Sequence, residues 1–141
     1  MRRAVGETYV SFSVNVIVPN AQAGLHLNYL TGLLNSKLLF EWFNHRAKKH
    51  GANLEINGNV LQRAPICILD LKKPDQRKQH DRMVQFVEAM LSIQQQLAAA
   101  ANETERAHCE SKAAGLDRQI DELTYDLYGL IEEERALVQA S

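Results

Sequence analysis

The sequence predicts an α+β fold: a small sheet packed on a buried central helix, followed by a long antiparallel helical hairpin and a short terminal helix. Three patterns lead to this. Thr8 to Val18 alternates apolar and polar residues with the two-residue period of a strand. Leu25 to His45 carries apolar residues at helical spacing over more than one face, as a largely buried helix does. Farther on, Met83, Val87, Met90, Gln94, Leu97 and Ala101 step by four and three. Cys109, Ala113, Leu116, Ile120, Leu123 and Leu127 repeat that rhythm, and both series are heptad seams.

In the first strand, Val10, Phe12, Val14, Val16 and Val18 share one face, while Tyr9, Ser11, Ser13 and Asn15 share the other. One dry and one wetter face suit a sheet covered on one side, and Pro19-Asn20 ends the strand. In the central helix, Leu30, Leu34, Leu38 and Trp42 form an i, i+4 strip that Leu33, Phe40 and Phe43 widen. Asn35-Ser36 lies in its middle and reads as a turn or as a pair satisfied by interior hydrogen bonds. Asn35, Ser36, Lys37 and Glu41 interrupt the apolar run, so it does not read as a membrane span. Beyond it, Leu54 and Ile56 suggest a short strand, Asn57-Gly58 a turn, and Val60-Leu61 a helical turn closed before Pro65. Ile66, Cys67, Ile68, Leu69 and Leu71 read as a buried strand. The polar run Lys72-Lys73-Pro74-Asp75 marks a domain edge, dividing a unit at 1–75 from a helical unit at 76–141.

The two seams are out of phase, and Asn102 with Glu105 three residues on fits a capping box. Two helices in a hairpin follow from this, with one bent helix as the alternative, since neither Gly nor Pro separates the seams. Gly129 can cap the second helix, and Glu132-Glu133-Glu134 start the last one.

Among the 141 residues, hydrophobic content is 45% and charged content 23%, ordinary for a soluble globular chain. Charge is unevenly placed. Residues 1–75 hold nine Lys/Arg against five Asp/Glu, or +4; residues 76–141 hold seven against twelve, or -5. An anionic partner therefore suits the first half. Cys67 and Cys109 belong to no CxxC pair, which points to a reducing, cytoplasmic setting. Residues 1–7 lack the apolar core of a signal peptide, and the abrupt opening into a strand pattern suggests a piece of a longer protein. No Gly-rich phosphate loop or GxSxG is present. His26, His45, His50, His80 and His108 lack metal-ligand spacing. Asp117, Asp121, Glu122 and Asp126 read as a solvated helix face.

The chemistry-bearing stretch is His45 to Arg63. Arg46, Lys48, Lys49, His50, Asn53, Asn57, Asn59 and Arg63 are the candidate DNA-binding residues there. Arg and Lys suit phosphates and guanine, and Asn suits an adenine edge.

Three stretches together resemble a known family. LTGLLNSKLLFEWF resembles the leucine-rich helix with an Asn-Ser-Lys-Leu core found in target-recognition domains of restriction-modification systems. VLQRAPICI resembles the Leu-x-x-x-Pro-Ile segment that follows it, and IDELTYDLYGLIEEE the family's tail motif. Across about Tyr9 to Arg135 the chain is similar to the TaqI-like C-terminal specificity domain of type IIG restriction enzymes and adenine-specific DNA methyltransferases. Ala64 stands where the family has Leu. Ile131 stands where it has Thr, so the last helix loses a side-chain cap.

The resemblance implies a DNA sequence-recognition module that binds duplex DNA and positions an upstream methyltransferase or nuclease domain. It implies no enzymatic activity and no cofactor in this chain; S-adenosylmethionine would belong to the parent enzyme, whose Asn-Pro-Pro-Tyr motif this sequence lacks. The rival reading is a helical protein-interaction module, with a homodimer through the hairpin and no DNA contact.

Overall fold

The structure, a computed structural model, describes residues 24–46, 48–50, 53–55 and 58–141. Its elements in chain order are α1 (Leu27–Leu34), α2 (Lys37–Arg46), β1 (Lys48–His50), β2 (Asn53–Glu55), α3 (Gly58–Gln62), α4 (Pro74–Ala98), α5 (Glu103–Leu127) and α6 (Glu132–Ala140). The strand expected over Thr8 to Val18 lies outside the described residues.

The frame is helical. Pro74 sits at the start of α4, where its missing N–H costs nothing, and Asp75 follows in the first turn. Asn102 caps α5, its side chain accepting from the Glu105 N–H at 2.9 Å; the Glu105 carboxylate reaches back to the Ala101 N–H at 2.8 Å. The chain thus reverses after α4, and α4 and α5 pack as a hairpin. Met83 and Val87 of the first seam are buried, and Cys109, Ile120 and Leu123 of the second. Gln94, a predicted seam position, is exposed, and Ile93 takes the buried place beside it.

α1 lies across α4 at Gly32, where a Cβ would stand 2.4 Å from Met83 Sδ. A hydrogen there is what lets the two helices approach so closely. The main core joins Leu25, Tyr29 and Leu33 to Leu69, Met83, Val87, Ile120 and Leu123. This core runs across position 75, where the sequence suggested a domain edge. His80 is buried within the same region. Its Nε2 accepts from the His26 backbone N–H at 3.0 Å, and its Nδ1 lies 2.9 Å from Asp81 Oδ1. That pairing calls for the neutral ring with its proton on Nδ1.

Two expectations are corrected. The central helix is not continuous: it breaks at Asn35-Ser36 into α1 and α2. Ser36 is fully buried; its hydroxyl donates to Leu33 O at 2.6 Å and accepts from the Leu39 N–H at 3.4 Å. The hydroxyl therefore closes one helix and caps the next. Phe40, expected in the buried strip, is 51% exposed.

The α+β class is also overturned. No sheet packs on a helix among the described residues. β1 and β2 form only a ribbon of three residues each, and every other regular element is a helix. The apolar run from Ile66 to Leu71, expected as a strand, is an irregular strap. Helical side chains stand in for a strand ladder there. Tyr29 Oη donates to Cys67 O at 2.6 Å, Tyr128 Oη accepts from the Cys67 N–H at 3.0 Å and donates to Pro65 O, and Gln76 Oε1 accepts from the Asp70 N–H at 2.6 Å. With its backbone satisfied in this way the strap needs no β partner.

The C-terminal turn closes as its sequence suggests. Gly129 has φ of 66°, a left-handed conformation that favours glycine. Its N–H donates to Asp126 O at 3.2 Å, and the Leu130 N–H donates to Tyr125 O at 3.0 Å. These are the paired bonds of a Schellman end. Ile131 supplies no cap to α6, but its N–H donates to Glu134 Oε2 at 2.9 Å, so the returning half of the box is made. α6 buries none of its side chains. Arg135 holds it, reaching Glu122 at 3.0 Å and Asp126 at 2.7 Å.

Candidate nucleic-acid interface

The polar segment leaves α2 and returns through α3. Arg46, on the last turn of α2, is exposed, with its guanidinium carbon 5.9 Å from the Trp42 ring centroid. Lys48, Lys49 and His50 form β1, and Asn53 begins β2. The ribbon is antiparallel, with Lys48 opposite Glu55, Lys49 opposite Leu54 and His50 opposite Asn53. Four candidates are thereby gathered on one ribbon. Asn57 lies outside the described residues. Asn59 is exposed on α3, and Arg63 is exposed in the turn behind it.

Two anchors bracket α2 and this segment, one on α5 and the other at the C-cap of α5. At the first, the Lys37 N–H, an orphan donor of the first turn of α2, donates to Asp121 Oδ1 at 2.9 Å. The Lys37 ammonium continues to Gln139 O at 2.8 Å, tying in α6. Burial pushes the Asp121 carboxyl above its ordinary range, and the Lys37 N–H partly offsets this. At the second anchor, Tyr128 grips Pro65 and Cys67 as described above. Burial raises the pKa of both Tyr128 and Tyr29. Between the anchors, Leu34, Leu39 and Phe43 form a second small core, against which Val60, Leu61 and Ala64 of the returning chain pack.

The anchoring residues Tyr29, Asp121 and Tyr128 were not expected from the sequence to have this role. Asp121 read as one member of a solvated acidic face, and only knowledge of the fold reveals its partner. The position of Lys37 directly after Ser36, at a potential helix start, was the one local signal. Among the described residues, no group of three His, Cys, Asp or Glu side chains could hold a metal ion. No helix among them is long and apolar enough to cross a membrane. No protein-family model, curated protein or solved structure matches the chain.

Proposed function

We propose that this chain is a DNA sequence-recognition module, similar to the TaqI-like specificity domain, which binds duplex DNA and positions a methyltransferase or nuclease domain outside this sequence. One observation supports the reading above the others. The three stretches that carry the resemblance meet in space: Asn-Ser-Lys at the α1–α2 break, Pro65-Ile66-Cys67 in the strap, and the tail motif on α5 are joined by the Lys37–Asp121 and Tyr128–Cys67 hydrogen bonds. Residues so joined are constrained together, which gives a physical reason for the motifs to occur as a set. Their work is to present the segment between Arg46 and Arg63. On this reading Lys48 and Lys49 contact phosphates, and Arg63 with the asparagines reads base edges. The cofactor S-adenosylmethionine and the chemistry belong to the parent enzyme, in the cytoplasm.

The test is binding of the intact chain to duplex DNA at low ionic strength, followed across a salt titration. Each phosphate contact contributes about 0.9 to the slope of log affinity against log salt. The Lys48→Ala, Lys49→Ala double variant is expected to lose about two from that slope with sequence preference unchanged. Arg63→Ala is expected to relax preference at one base pair, by about 1–3 kcal/mol. An unchanged slope in the double variant refutes this surface.

A second reading is favoured by a different observation. Phe40 and Ile131 are more than half exposed and Leu137 is 71% exposed, which suits a protein-interaction module. Dimerisation that raises unfolding stability with protein concentration, without any DNA binding, would select it.

A further inference from the structure

An open groove of about 380 Å³ runs along the hairpin between α4 and α5. Phe86 and Leu123 line its apolar part, and Gly115 leaves it open because no Cβ rises there. Arg82 comes from α4 and Arg118 from α5. The Arg82 guanidinium carbon is 5.5 Å from the centroid of the Phe86 ring. Neither arginine has an ion-pair partner among the described residues.

Two acids, Glu122 and Asp126, also line the groove, and they would ordinarily cancel these charges. They are already engaged. Arg135 of α6 takes Glu122 through Nη1 at 3.0 Å and Asp126 through Nη2 at 2.7 Å, while its Nε donates to Leu130 O at 3.1 Å. The lining itself is balanced, two arginines against two acids, but Arg135 holds both acids from α6, which leaves the Arg82 and Arg118 guanidiniums with no acid committed to them. Planar guanidiniums with free donors suit phosphate oxygens, which they bind in bidentate fashion.

We infer that the α4–α5 groove is a second DNA-contact surface, in which Arg82 and Arg118 take backbone phosphates of the duplex whose bases the segment between Arg46 and Arg63 reads. The inference rests on the DNA-recognition reading above. Contacts of this kind position a protein on DNA and carry no sequence information.

The test uses the intact chain, a short duplex and a salt titration on three variants: Arg82→Gln with Arg118→Gln, Arg82→Lys with Arg118→Lys, and Lys48→Ala with Lys49→Ala. Thermal melts compare their folding with the parent chain. The glutamine pair is expected to lower the salt slope by about two and to weaken low-salt affinity by about tenfold or more, with sequence preference unchanged. The lysine pair is expected to restore most of the slope, because a point charge still meets a phosphate. Loss on the Lys48, Lys49 pair with no change on the glutamine pair overturns this inference and leaves the recognition reading intact. No duplex binding by the parent chain at low salt overturns both. If the glutamine pair melts early, the Arg Nε–H resonances of the parent chain decide the question: both shift on adding duplex if the groove is used, and neither shifts if it is not.

Discussion

Two tyrosine hydroxyls replace what a neighbouring strand would have given the strap. Tyr29 supplies one hydrogen bond to it and Tyr128 supplies two. Replacing Tyr128 by Phe strands the Pro65 carbonyl and the Cys67 N–H, and the expected loss is about 1–3 kcal/mol; Tyr29→Phe should lose about 1 kcal/mol. Urea unfolding measures both. The same residues set an alkaline limit. Burial raises the pKa of Tyr29, Tyr125 and Tyr128 in the folded chain, whereas in the unfolded chain tyrosines ionise near about 10. Their contribution is therefore fully present below that pH and is lost as pH climbs toward their folded values. Stability should fall as pH rises above about 10, and the Tyr29→Phe, Tyr128→Phe double variant should fall less steeply.

At the scale of elements, two glycines in helices make opposite predictions. In the middle of α1, Gly32→Ala gains about 1 kcal/mol of helix propensity but drives a Cβ into Met83 and to 3.1 Å from Val87 Cγ2. Overpacking of this kind costs about 1–3 kcal/mol, so a net loss is expected. In α5, Gly115→Ala meets nothing nearer than the Arg118 guanidinium at 3.9 Å, and a gain of about 1 kcal/mol is expected. Thermal or chemical denaturation of the two variants gives both signs. The hairpin was legible in the sequence because its signals are local: heptad spacing, the Asn102 cap, the Gly129 stop. The break at Asn35-Ser36 was visible only as a weak spot, since burial of the Ser36 hydroxyl decides it. The strap was misread because its apolar run matches a strand and its partners lie up to 63 residues away. Likewise, composition singled out Arg46 to Arg63, but the juxtaposition of Arg82 with Arg118 depends on how α4 and α5 align.

For the molecule as a whole, the packing makes α4 and α5 a common support. α1 leans on α4 through Gly32 and Met83, α2 meets α5 through Lys37 and Asp121, and α6 is clamped to α5 by Arg135. α6, with no buried side chain, depends most on charge. Arg135→Ala should therefore loosen it, leaving the Lys37 bond to Gln139 O, with little change in the global unfolding midpoint, since both acids are more than half exposed. Faster amide hydrogen exchange confined to 132–140 would report the loosening.

The two anchors that bracket α2 and the polar segment are Asp121 on α5 and Tyr128 at its C-cap, seven positions apart. That separation is about two turns. A stretch of chain pinned at both ends to a rigid rod can change its contents without disturbing the rod. The entropy of spanning a fixed gap grows only logarithmically with length, by about 0.6 kcal/mol for each doubling. The connection between α2 and α3 is thus the exchangeable part, since Val60 and Leu61 beyond it belong to the second small core. A foreign polar segment of twice the length, grafted in place of residues 47–57, should leave the melting of the helical frame within a few degrees, because Val60, Leu61 and Ala64 keep their packing on Leu39 and Phe43.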